Sequence, residues 1–180
     1  MSAANHWSDR SAELGKMKIL IIDDEPVNVA LLEEILVEAG YTRFESVLDS
    51  KLALQVYKTF QPDLVLLDLM MPPPNGFAIL ESLSSQSEES FLPVVVLTAD
   101  TNEESKRRAL EAGATDFLLK PFDHVEVALR IRNLLKSRYA HLLLDNQRAA
   151  LEDAVRERTA ELRATIEKLE RKNELSSQSV

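Results

Sequence analysis

"LVLLDLMMPPPNG", residues 64–76, holds four consecutive aliphatic side chains, a single carboxylate at Asp68, and then prolines, an asparagine and a glycine. A short unbroken aliphatic run bounded by turn residues reads as a strand covered on both faces. The following "GFAILESL" has helical spacing, so the unit is strand, loop, helix, with an acid at the strand's carboxyl end.

The same unit recurs on both sides. "MKILIIDDEP" (17–26), "RFESVL" (43–48), "PVVVLTA" (93–99) and "TDFLLKP" (115–121) supply four more strands. Helices are expected from Pro26 to Ala39, closed by Gly40, then over 50–60, 76–83, 101–113 and from Asp123 onward. In the first of these, Val27, Leu31 and Ile35, with Leu32, Leu36 and Ala39 alongside, form a broad apolar face. Five strands alternating with five helices predict an α/β fold, a doubly wound five-stranded parallel sheet between helix layers. In such sheets, sites lie at the carboxyl ends of the strands.

Those ends carry Asp23 and Asp24, Asp68, Thr98, and Lys120 followed by Pro121. Singly, each has an ordinary structural reading: Asp24 as a helix cap ahead of Pro26, Asp68 or Thr98 capping a turn or helix, Lys120 as a surface lysine. Together at one edge they define a site. Three converging carboxylates repel unless a cation neutralises them, and an oxygen-only ligand set with room for water and phosphate favours Mg²⁺ over Ca²⁺. A lysine and a threonine hydroxyl opposite the metal suit phosphoryl oxygens. Asp68 then reads as a nucleophile that holds an acyl phosphate.

Composition narrows the alternatives. The four glycines form no dinucleotide- or phosphate-binding loop, the three histidines match no zinc spacing, and there is no cysteine for a disulfide or thiolate. Residues 1–137 carry 13 basic and 22 acidic groups, and residues 138–180 carry eight of each, which together give the net charge of −9. An acidic front part argues against a nucleic-acid surface. The N-terminus lacks the apolar stretch of a signal peptide and no run is long enough to span a membrane, so the cytoplasm is the expected location.

"IIDDEP", "LLDLMMPPPNGF", "VVVLTA" and "FLLKPF", in that order and spacing, resemble the receiver domain of bacterial two-component response regulators over about residues 17–137. The resemblance implies the flavodoxin-like strand order 2-1-3-4-5, of which a receiver is itself one example. It implies that Asp24 binds Mg²⁺ directly and Asp23 largely through water, with Asp68 and the backbone carbonyl of Met70 as further ligands. Lys120 would pair with the phosphoryl oxygens, Thr98 would move in to hydrogen-bond them, and Ala99 is suitably small beside them. Phe117 stands at the aromatic switch position, and the Lys120–Pro121 bond would be cis. The phosphodonor would be a histidine kinase or a phosphotransfer protein, and the fourth and fifth helices would change their contacts on phosphorylation. Such a receiver supports its own phosphotransfer and dephosphorylation without being a separate enzyme. "PPPNG" departs from the usual single proline and should stiffen its loop. Phe117 lacks a tyrosine's hydroxyl, and Met70 and Asp100 occupy the variable positions that tune dephosphorylation.

From Asp123 the helical pattern continues without Pro or Gly to about Glu174. Leu144 and Leu151 fit one heptad position and Val155, Leu162 and Leu169 the other, interrupted by Arg148, Arg158 and Thr165. This predicts a parallel homodimeric coiled coil in preference to a solvated linker. "VRERTAEL" resembles linkers joining receivers to downstream enzymes, although no catalytic domain is expected here. The expected organisation is a flexible tail (1–16), a receiver domain (17–137), a helical extension (138–175) and a loose C-terminus (176–180). His141 reads as a surface histidine and Lys106–Arg108 as solvated surface. Two further readings stay open: a constitutive dimeric scaffold, and a regulatory fragment of a larger enzyme.

Overall fold

The computed structural model describes residues 13–86, 91–99 and 102–177. Its strands are β1 (Ile19–Ile22), β2 (Phe44–Val47), β3 (Leu64–Asp68), β4 (Val94–Thr98) and β5 (Asp116–Leu119). Its helices are α1 (Pro26–Glu38), α2 (Ala53–Phe60), α3 (Gly76–Gln86), α4 (Glu103–Glu111) and α5 (His124–Ser177), and a 3₁₀ turn, Ser50–Leu52, leads into α2. The strands pair in parallel in the order β2-β1-β3-β4-β5.

The aliphatic runs take the centre of this sheet, where both faces are covered. Every residue of β1, β3 and β4 is buried, whereas the edge strands β2 and β5 are mixed. Each fully buried Leu, Ile or Val contributes roughly 1.5–3 kcal/mol. The register pairs Ile22 with Leu67, Asp68 with Leu97, and Thr98 with Leu119. It brings the polar strand ends to one edge.

Several details differ from the sequence expectation. Residues 13–16 are not a free tail. Leu14 is buried, and the Gly15 carbonyl accepts from the Thr42 N–H at 3.2 Å and the Thr42 hydroxyl at 3.2 Å. The remainder of the expected tail, residues 1–12, lies outside the described residues. On α1 the buried face is Val29, Leu32, Ile35 and Leu36, and Val27 is 77% exposed. The helix is apolar nearly all round, so its pattern alone does not fix which face turns inward. The N-cap of α1 is Glu25, with Pro26 in the first turn, so Asp24 does not cap it.

The chain divides into two compact units at His141/Leu142. In the first, α5 buries Val127, Ile131 and Leu135 at four-residue intervals. Arg138 donates to the Phe91 carbonyl at 2.7 Å and the His141 ring lies 4.6 Å from that of Phe91, so this unit extends past the expected boundary at residue 137. In the second unit α5 continues to Ser177, and every side chain from Leu143 to Lys168 is exposed. Of the expected loose C-terminus, Ser176 and Ser177 are helical and 178–180 lie outside the described residues.

Candidate functional site

Asp23 follows β1 and is fully buried; Asp68 ends β3 and is 2% exposed. Burying two carboxylates is costly unless each is paired. Their partner is Lys120, whose Nζ donates to Asp23 Oδ2 at 2.8 Å and to Asp68 Oδ2 at 2.8 Å. Desolvation, the largest influence, lowers the lysine pKa. The two hydrogen bonds and the two negative charges outweigh it, so the net shift is upward from the ordinary value. The other carboxylate oxygens take nearby amides: Asp23 Oδ1 accepts from Glu25 N at 2.9 Å, and Asp68 Oδ1 from Met70 N at 3.0 Å. Asn28, in the first turn of α1, donates its side-chain amide to both oxygens of Asp23, at 3.2 and 3.1 Å.

Asp24 completes the acidic group. One oxygen each from Asp23, Asp24 and Asp68 lie within 4.8 Å of one another, and Asp24 Oδ1 is buried with no hydrogen-bond partner. Three carboxylates against one ammonium leave net negative charge, and a buried oxygen without a donor calls for a cation. The residues present therefore fit a hard divalent ion.

The loop after Asp68 is drawn tightly over this edge. A Cβ on Gly76 would collide with the Asp68 carbonyl oxygen and with Leu69 Cα, so only glycine allows the close approach. Gly76 N bonds the Leu69 carbonyl at 3.3 Å, and buried Ser50 donates its hydroxyl to the Pro72 carbonyl at 3.0 Å. Within the loop the Pro73–Pro74 bond is cis, as is Lys120–Pro121. The Met70 side chain points to solvent, 73% exposed.

Thr98 is 5% exposed at the end of β4, and its carbonyl accepts from Lys120 N at 2.9 Å. Ala99 is exposed beside it, and Asp100 lies outside the described residues. Phe117 is not part of the carboxylate cluster. It sits on β5 opposite Val96 and shares a small cavity with Thr98, Leu69, Ser105 and Ala109. Lys106 Nζ lies 4.9 Å over the Phe117 ring and 3.4 Å from Glu103 Oε1, while Arg108 stacks over the Phe77 ring at 4.2 Å. The basic run is thus not simply solvated, since two of its three side chains cover aromatic rings. Sequence reasoning brought Asp23, Asp24, Asp68, Thr98 and Lys120 to one edge and missed Asn28, Ser50 and Lys106.

Residues 19–132 match the response regulator receiver domain. The chain belongs to that family. The "Probable cyclic di-GMP phosphodiesterase" of Vibrio cholerae serotype O1 is 32% identical over 150 residues, 83% of this chain and 34% of that protein. The response regulator PleD of Caulobacter vibrioides is 38% identical over 119 residues, 66% of this chain and 26% of that protein. Among solved structures, the receiver domain of a Francisella response regulator superposes with a TM-score of 0.62 at 30% identity, covering 68% of this chain and 98% of that one. This receiver thus spans about a third or less of those two longer relatives.

Proposed function

We propose that Asp68 accepts a phosphoryl group from a phosphohistidine on a histidine kinase or phosphotransfer protein. An oxygen of Asp68 attacks phosphorus, the P–N bond to the donor imidazole breaks, and an acyl phosphate forms. Asp23, Asp24, Asp68 and the Met70 carbonyl would hold Mg²⁺, which when bound offsets the negative charge of the carboxylates and the phosphoryl oxygens. Lys120, already on Asp68 Oδ2, is within reach of a group attached there. The Thr98 hydroxyl would move in to hydrogen-bond the phosphoryl oxygens, and the small Ala99 would leave them room. Turning of Phe117 as Thr98 moves would alter the α4 and α5 contacts. The observation that carries this reading is the Lys120 bridge between Asp23 and Asp68 beside the partnerless Asp24 oxygen.

The exposed apolar residues of the second unit support a homodimer through α5, and the cytoplasm is the compartment where such donors and Mg²⁺ meet. No described helix is long and apolar enough to cross a membrane. The complete set of acids and lysine leaves a phosphate-independent scaffold without support. A second reading, a regulatory part of a longer protein, is favoured by the 34% and 26% shares of the relatives that the chain spans. Labelling with a small phosphodonor and Mg²⁺ tests the assignment: Asp68→Asn should abolish incorporation, and labelling at the wild-type level would sink it.

A further inference from the structure

The second unit presents large apolar side chains at Leu143, Leu144, Leu151, Val155, Leu162 and Ile166, all between 42% and 65% exposed. Leu143 apart, the steps between them are seven, four, seven and four residues, an 11-residue repeat. A heptad frame through Leu144, Leu151, Val155, Leu162 and Leu169 also places Arg148, Arg158 and Thr165 in its seam and leaves Ile166 outside. In a frame of about 3.67 residues per turn, Leu144, Val155 and Ile166 share one line, and Leu151 and Leu162 lie roughly 33° to one side. Arg148 and Thr159 lie roughly 33° to the other side, Arg158 flanks the stripe roughly 33° beyond Leu151 and Leu162, and Thr165 falls away from the seam at roughly 98°. The 11-residue frame takes in Leu144, Leu151, Val155, Leu162 and Ile166, whereas the heptad frame takes Leu169 in place of Ile166.

We propose that this segment of α5 pairs in parallel with the same segment of a second copy through the 11-residue repeat. The paired helices then run nearly straight or with a right-handed twist, not as a left-handed coiled coil. The inference rests on the dimer reading above and specifies its seam. Charge singles out the second copy as occupant. The acidic excess lies in residues 1–137, whereas residues 138–180 carry eight basic and eight acidic groups and do not repel their own copy. The charges flanking the stripe are paired within the helix, Arg148 with Glu152 at 2.9 Å, Arg156 with Asp153 at 3.7 Å and Arg158 with Glu161 at 2.8 Å. No oppositely charged partner is needed, and an identical stripe in register supplies the same seven-and-four spacing.

Two threonines provide a matched test, because the chain has no cysteine of its own. Thr159 and Thr165 are both exposed, and each hydroxyl bonds the carbonyl four residues earlier, at 2.8 and 2.9 Å. The 11-residue frame places Thr159 in the seam and Thr165 outside; the heptad frame does the reverse. In the full chain under mild oxidation, Thr159→Cys should form the disulfide-linked dimer roughly tenfold faster than Thr165→Cys, because only seam positions bring the paired Cβ atoms within bonding range. Ile166→Cys should outpace Arg158→Cys in the same way. The opposite ranking, in protein that sediments as a dimer, would overturn the 11-residue seam and keep the dimer. Slow linkage at all four sites in a dimer would mean antiparallel pairing or another surface and would also overturn it. Uniform linkage in a monomer would reflect random collision, and a monomer sinks the dimer reading as well. Labelling of Asp68 is independent of every one of these outcomes.

Discussion

Replacing Lys120 with methionine keeps most of the side chain's length and removes the ammonium that bridges Asp23 and Asp68 at 2.8 Å each. Both carboxylates are essentially buried, so the loss leaves them without a counter-charge. Removing one partner of a buried ion pair costs about 3–5 kcal/mol. The lysine side chain is 18% exposed, so water recovers part of this, and about 2–3 kcal/mol is the expected loss in EDTA. For a domain of this size that is a fall in Tm of about 10 °C. Mg²⁺ should narrow the gap, because the ion replaces the missing charge without competing against an ammonium. At one hundred times Kd, binding adds about 2.7 kcal/mol. Urea unfolding of wild type and Lys120→Met in EDTA and across a Mg²⁺ titration reads both terms. The variant should be the less stable in EDTA and should respond at lower Mg²⁺ than wild type. A loss below about 0.5 kcal/mol in EDTA, where surface substitutions fall, or superimposable Mg²⁺ titrations, would refute the reasoning.

The same lysine sets a pH dependence. Its pKa is raised on folding, so its contribution is fully present below the ordinary value of 10.5 and disappears as pH rises through the folded value above it. The stability gap between wild type and Lys120→Met in EDTA should accordingly be flat through neutral pH and close only in strong alkali; closure near neutrality would contradict the bridge. Gly76→Ala forces a Cβ onto backbone atoms of Asp68 and Leu69 that cannot rotate away, and should cost about 3 kcal/mol and slow phosphorylation. Unchanged urea midpoints and labelling rates would count against the close approach. Asn28→Ala removes the amide on both Asp23 oxygens and should cost about 1–2 kcal/mol in EDTA. Isothermal titration with Mg²⁺ should also show weaker binding, and an unaltered isotherm would remove Asn28 from the site.

The sheet and the strand-end residues were readable because both follow from local pattern. Ile19–Ile22, Leu64–Leu67 and Val94–Leu97 are unbroken aliphatic runs, and each ends in a polar residue that a parallel sheet must bring to one edge. What was missed depends on tertiary contact. Leu14 is one apolar residue in a polar stretch, with no periodicity to announce its burial. Asn28 sits on a helix, so no strand-end rule points to it, although its place on the first turn after Asp23 is a usable signal. Lys106 and Arg108 looked solvated because the aromatic rings they cover, Phe117 and Phe77, come from other elements.

The most direct measurement is to trap the acyl phosphate reductively and locate it by peptide mass spectrometry, after exposure to a phosphodonor with Mg²⁺ and with EDTA. Modification at Asp68 alone, formed with Mg²⁺ and absent with EDTA, is the expected result. Modification at Asp23, Asp24 or any other carboxylate, or at Asp68 regardless of Mg²⁺, would contradict a metal-assisted phosphoacceptor at the end of β3.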